Sequence, residues 1–199
     1  MKKFTTAFLT VAALFLSGCI SGLLEPKEDP TKFYVLTPSA NIAQQNASFK
    51  AHLLGISLPS YAMRSQIVSF ADNGELIISD ENRWGEPLCD GVLRTVYSDL
   101  RAAFSKNGKI SAYSYESFPN SQNSIKISIF ELGGKLGGKV AIKSNWSLLD
   151  AKGAVLSSGV FDASANCNDS YESYVSALSS LVNDMAKDVI LKISKIKGM

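Results

Sequence analysis

The chain has 199 residues, 46% of them hydrophobic, with 20 Lys and Arg against 18 Asp and Glu and a formal charge of +2. That is one domain's worth of sequence with ample material for a core, and its charge is too nearly balanced for a nucleic-acid surface, so no nucleic-acid partner is expected. The single histidine, His52, has no Cys or His at ligand spacing, so neither a metal site nor a cofactor is expected.

The chain opens Met1-Lys2-Lys3 and runs apolar from Phe4 to Leu16, broken only by threonines. This is the charged n-region and apolar h-region of an export signal, and it is too short to stay in a bilayer as a spanning helix. Leu16-Ser17-Gly18-Cys19 then reads as a bacterial lipobox, which predicts a signal peptide over residues 1–18 and an acylated (palmitate-bearing) Cys19. The alternative, Cys19 inside a core helix, fails because a helix from Lys3 to Leu24 would be apolar nearly all round. Cleavage before Cys19 removes Lys2 and Lys3 and leaves a formally neutral domain whose anchoring rests on its acyl chains. Ile20, rather than Asp, after the cysteine favours the outer membrane, with the domain on its periplasmic face.

Residues 19–31, rich in Gly, Glu, Lys and Asp and carrying Pro26 and Pro30, read as a tether reaching at most about 40 Å. The rest, residues 32–199, reads as one domain. Lys32 to Leu36 is a short strand, Ser39 to Ser48 an exposed loop, and Phe49 to Leu58 a strand with one buried face. Gln66 to Phe70 and Glu75 to Ser79 flank Ala71-Asp72-Asn73-Gly74, and an Asn-Gly between β-type runs predicts a hairpin.

Arg83-Trp84-Gly85-Glu86-Pro87-Leu88 opens a helix, with Pro tolerated in its first turn and Glu at its positive end. Leu88, Val92, Val96, Leu100 and Phe104 recur every four residues as its buried stripe, and Asp90, Arg94, Asp99 and Arg101 lie elsewhere around it. After Asn107-Gly108 come a short strand at Ile110 to Tyr115 and three consecutive antiparallel strands at Ser124 to Phe130, Lys139 to Leu149 and Val155 to Phe161. A final helix starts near Asp169 with an acidic cap and Glu172 three residues on. It buries Tyr174, Leu178, Leu181, Met185 and Val189 and ends in Lys192, Lys195 and Lys197. The expected fold is α+β: an antiparallel-rich sheet with two helices packed on one face.

An oxidising compartment makes Cys89 and Cys167 a candidate disulfide, with two buried inert thiols as the alternative. Arg83, Trp84, Glu86 and Pro87 are either a partner-contacting patch or a structural motif in which the indole packs at the helix start, the structural role being favoured. No catalytic residue is expected. Asp72, Glu75, Asp80, Glu81 and Glu86 read as the solvated edge of the hairpin rather than as paired catalytic carboxylates, and no serine sits in a G-x-S-x-G elbow. Gly133 to Gly138 lacks the Lys-Ser or Lys-Thr and the helix of a phosphate loop and reads as a flexible turn. Tyr113, Tyr115, Tyr171 and Tyr174 either line a groove for acyl chains or pack in the core.

In order along the chain, the lipobox, FYVLTP at Phe33 to Pro38, LLGISLPSY at Leu53 to Tyr61, RSQIV at Arg64 to Val68, RWGEPL at Arg83 to Leu88 and SNWSLLD at Ser144 to Asp150 resemble the ABC-type transport auxiliary lipoproteins of the paraquat-inducible type. The resemblance implies a non-catalytic outer-membrane lipoprotein. Its expected partners are a mammalian-cell-entry (MCE) domain tunnel protein and that protein's inner-membrane permease system, in phospholipid traffic that supports envelope integrity. It leaves a homo-oligomeric ring open. Cys89 and the glycine-rich Gly133 to Gly138 depart from the family pattern. The rival from another class is a periplasmic carrier that holds an acyl chain between its own sheet and helices.

Overall fold

The computed structural model describes residues 28–46, 48–112 and 123–196. The signal peptide, Cys19, the tether up to residue 27, Tyr113, Tyr115 and Lys197 lie outside them. From Thr31 the chain forms one compact unit. Its elements are β1 (Lys32–Tyr34), β2 (Lys50–Ser57), a 3-10 turn (Ser60–Ala62), β3 (Gln66–Phe70), β4 (Leu76–Trp84), α1 (Leu88–Ala103), β5 (Lys109–Ser111), β6 (Asn123–Gly134), β7 (Lys139–Leu149), β8 (Val155–Asn166) and α2 (Tyr171–Ile193). Among the described residues no helix is long and apolar enough to cross a membrane.

The fold is α+β as expected, with strands in two sheets. The larger has the order β5-β2-β6-β7-β8 and the smaller β1-β4-β3. β6, β7 and β8 are the antiparallel meander that the alternation predicts, paired from Ser124 with Leu149 and from Lys139 with Asn166. β2 adds a mixed character: it runs parallel to both β5 and β6. Period-two alternation fixes which face a strand buries but not its neighbours, so this pairing lies beyond it.

Alternation places Ile125, Ile127 and Ile129 of β6 and Val140, Ile142, Ser144, Trp146 and Leu148 of β7 on the inner face, all under 4% exposed. Against them lie α1, through Leu88, Val92, Val96 and Leu100, and α2, through Leu178, Leu181, Met185 and Val189, as their spacing dictates. α2 is capped by Ser170, whose hydroxyl accepts from the Ser173 amide at 3.2 Å; the acidic Asp169–Glu172 arrangement expected there is not the cap. α1 starts after Pro87 at the cap position, where no side chain caps it. Asp99 of α1, which lies off the apolar stripe of the helix, is 1% exposed.

The glycine-rich turn is built rather than loose. Lys135 N donates to Lys139 O at 3.0 Å and Gly138 N to Lys135 O at 3.2 Å. Gly133 adopts φ +133, a conformation that L side chains rarely adopt, and a Cβ there would sit 3.0 Å from both the Phe70 ring and the Tyr174 hydroxyl.

Candidate functional site

The RWGEPL segment lies where the two sheets, α1 and the first residues of the domain converge. β4 carries Arg83 and Trp84 into parallel pairing with β1, Phe33 opposite Arg83 and Tyr34 opposite Trp84. Trp84 is 7% exposed within the core and its amide donates to Ser65 O at 2.7 Å. Gly85 follows, its amide donating to Tyr34 O at 2.8 Å, and a Cβ there would press on Val35 at 3.2 Å. Glu86 turns back to receive Arg94 Nε at 3.1 Å and its Nη2 on the same carboxylate. Arg94 Nη2 also donates to Leu36 O at 2.8 Å. One guanidinium therefore ties the segment after β4, the middle of α1 and the chain leaving β1.

Residues 35–46, which take in most of the exposed loop expected at Ser39 to Ser48, form a strap across both helices. Thr37 N donates to Ser179 Oγ at 3.2 Å, and Asn183 Nδ2 donates to Thr37 O at 3.1 Å. Ser39 N donates to Asp99 Oδ1 at 3.0 Å, and Gln45 N to Ala103 O at 2.7 Å. Thr95 and Asp99 on α1, and Ser179 and Asn183 on α2, are each spaced by four and so share a helix face. Asp99 Oδ2, Thr95 Oγ1 and Asn183 Oδ1 are buried there without hydrogen-bond partners among the described residues. Burial pushes the Asp99 carboxyl above the usual carboxylate range, against the opposing pull of the Ser39 amide and the Lys187 charge. The signal for this was present: Val92, Thr95 and Asp99 follow the three-and-four spacing of a buried face.

One tyrosine hydroxyl joins the two sheets and a second ties the 3-10 turn to β6. Tyr174 donates to Val68 O of β3 at 2.8 Å and accepts from Gly134 N of β6 at 3.1 Å, and its burial raises its pKa above the ordinary phenol value. Tyr61, raised for the same reason, accepts from Leu132 N at 3.0 Å. Tyr171, half-buried, meets the Tyr174 ring edge-on with centroids 6.4 Å apart. Tyr174 thus packs in the core.

Cys89 and Cys167 are both free, so the candidate disulfide is absent. They hydrogen-bond to different carbonyls, Cys89 Sγ to Ile56 O at 2.8 Å and Cys167 Sγ to Lys135 O at 3.4 Å. Burial, with the Asp90 charge adding to it, holds the Cys89 thiol protonated and thus a poor nucleophile. Of the hairpin's acids, Asp72 pairs with Lys135 at 2.6 Å. His52 Nδ1 lies 2.8 Å from Ser111 Oγ, and the described residues contain no group of three potential metal ligands.

A cavity of about 340 Å³ opens beside this junction, lined by Met63, Arg64, Trp84, Gly85, Leu88 and Cys89 among others. Arg83, Trp84, Glu86 and Pro87 are thus gathered at one corner, with the indole and the carboxylate both engaged internally.

The family model for the ABC-type transport auxiliary lipoprotein component matches residues 34–190, which includes the strap, the junction and both helices. The chain belongs to this family. It is 24% identical over 201 residues to the intermembrane transport lipoprotein PqiC of Escherichia coli (strain K12), covering 98% of this chain and 100% of that one. The PqiC of Shigella flexneri matches to the same extent. Among solved structures, an uncharacterized protein shares the fold with a TM-score of 0.69 at 16% identity, covering 82% of this chain and 98% of its own. The protein XCC0632 of Xanthomonas campestris shares it with a TM-score of 0.66 at 14% identity, covering 80% and 92%. The auxiliary-lipoprotein fold is therefore the two-sheet, two-helix arrangement described above.

Proposed function

We propose that this auxiliary lipoprotein is a non-catalytic accessory of an MCE-type intermembrane phospholipid transport system. It is acylated at Cys19 after removal of residues 1–18 and held in the outer membrane on the periplasmic face by a tether of residues 19–31. The observation that carries this reading is the similarity to an intermembrane transport lipoprotein over 98% of this chain and 100% of that one. Its mechanism is docking: the acyl chains anchor the domain, the tether sets its reach, and the domain presents a surface to the MCE tunnel protein and, through it, to the inner-membrane permease. The internal use of Glu86, Trp84 and Tyr174 supports this, because these groups serve as structural ties rather than as a reaction centre.

The test is to purify the tagged, acylated protein from gently solubilised envelopes and identify by mass spectrometry the proteins and lipids that accompany it. Recovery of an MCE-domain protein supports the docking role. Stoichiometric phospholipid without such a protein would replace it with the carrier reading. Loss of the protein is expected to sensitise cells to detergent, as a contribution to envelope integrity requires.

A further inference from the structure

The exposed apolar side chains are unevenly placed. Of the eleven large ones exposed among the described residues, six belong to the small sheet or the segments that flank its strands: Phe33, Val35, Met63, Leu76, Ile77 and Ile78. Phe33 and Met63 are the most exposed of all, at 67% and 65%. A core-forming role does not account for them, and where such side chains adjoin on a surface they mark a contact.

Two of them, Phe33 and Val35, adjoin one another at the junction, and Met63 lies across the cavity that Gly85 lines. The position of a Cβ on Gly85 lies within 4 Å of Val35 and of Phe33, and Gly85 lines the same cavity as Met63 and Arg64. Gly85, having no side chain, lets Val35 lie close against the end of β4. Two exposed cations, Lys32 and Arg64, stand next in sequence to Phe33 and Met63, with Glu28 and Asp29 the acids upstream of β1.

We infer that this face, centred on Phe33, Val35 and Met63, lies in the interfacial layer of the membrane that holds the protein's own acyl anchor. The inference rests on the acylation of Cys19 proposed above. The place where the chain enters the domain selects the membrane as occupant. The compact unit begins at Thr31, and Phe33 lies two residues later in the first strand, so the apolar face is built on the part of the domain with the shortest leash to Cys19. Apolar side chains flanked by Lys and Arg suit the boundary between acyl chains and phosphate headgroups, where the rings and thioether leave water and the cations meet phosphate. So few apolar groups bind a bilayer weakly alone. Tethered beside it, they act at high effective concentration, as a second membrane signal does beside a first. The domain then rests in a fixed orientation, with the edge strand β8 and the uncovered face of the larger sheet left for other contacts.

The test uses the full-length, acylated protein in vesicles of phosphatidylethanolamine and phosphatidylglycerol, made with brominated or ordinary acyl chains. Tryptophan is added as Phe33→Trp or Met63→Trp on the face, or as Val160→Trp on β8 for comparison, the two native tryptophans being common to all. Brominated lipid is expected to remove at least about twice the fraction of emission from Phe33→Trp and Met63→Trp that it removes from Val160→Trp. Equal quenching at all three positions, or quenching at Val160→Trp alone, would overturn the inference. So would a blue shift at position 33 that depends on protein concentration and not on bromine, which would assign the face to a second copy of the chain. Flotation with the vesicles is scored separately: a protein that does not float refutes the acylation of Cys19, whereas one that floats without quenching at positions 33 and 63 refutes only the membrane-facing surface.

Discussion

The amide of Ser39 donates to one oxygen of Asp99 at 3.0 Å, while the other oxygen of the same carboxylate is buried with no partner among the described residues. The strap is thus fastened by a charge that half lacks compensation, and desolvation raises the pKa of Asp99. The folded form then holds a proton that the unfolded chain has already released. Stability contributed at this site is present below the ordinary carboxylate pKa of about 3.9 and is lost as pH rises through the higher folded value. Asp99→Asn keeps an acceptor for Ser39 and removes the charge. Urea unfolding is expected to show the variant at least as stable as the parent at pH 7, and to lose that advantage by pH 4. A variant much weaker at pH 7 would mean that the ionised carboxylate is the better fastener.

Tyr174→Phe leaves the ring in place but removes the hydroxyl that links Val68 of β3 to Gly134 of β6. A buried amide and a carbonyl lose their partner, so a cost of about 1–3 kcal/mol is expected in chemical denaturation, with faster amide exchange at Gly134. Tyr171→Phe, at the half-buried neighbour, should stay within about 0.5 kcal/mol of the parent.

Gly133→Ala faces two obstacles at once, the φ of +133 and the Phe70 ring and Tyr174 hydroxyl that a methyl would each meet at 3.0 Å. A loss of more than about 2 kcal/mol is expected, since strain and overpacking both contribute. Gly55→Ala, where nothing lies within 4 Å and φ is ordinary, is the matched comparison and should cost far less. Thermal melting of the two variants distinguishes a required glycine from a merely flexible turn.

Cys19→Ser is expected to move the protein from the membrane fraction to the soluble one and to abolish its part in envelope integrity, with the circular dichroism spectrum unchanged. Full complementation by the soluble variant would remove the anchor from the mechanism.

Much of this was legible in the residues, and the part that was not has a physical reason. The stripes Leu88 to Phe104 and Tyr174 to Val189 are local, because a helix's period depends only on its own sequence, and the meander β6-β7-β8 follows from short turns between alternating runs. The partition of the strands into two sheets was hidden, because it depends on parallel pairing of β1 with β4 and of β2 with β5 and β6 across tens of residues. At the junction, RWGEPL announced a helix start, which α1 confirms at Leu88. That Glu86 would turn to Arg94 rather than face the helix dipole, and that Arg94 would hold Leu36, required knowing where the strap runs. A charge off the apolar stripe is a two-way signal: Asp99 carries no mark in the sequence of whether it is solvated, and it serves as a buried fastener.

The strap also sets how the domain carries load. A pull applied at Thr31, the start of the compact unit, meets in chain order the β1 ladder on β4, the Arg94 grip on Leu36, the ties at Thr37 and Ser39, and the Gln45 bond to Ala103, before it reaches β2 in the larger sheet. These links are arranged in series and each is small. Like the clamp on a cable, they give way one at a time and spend the work of the pull at the periphery, while the five-stranded sheet and its two helices keep their shape.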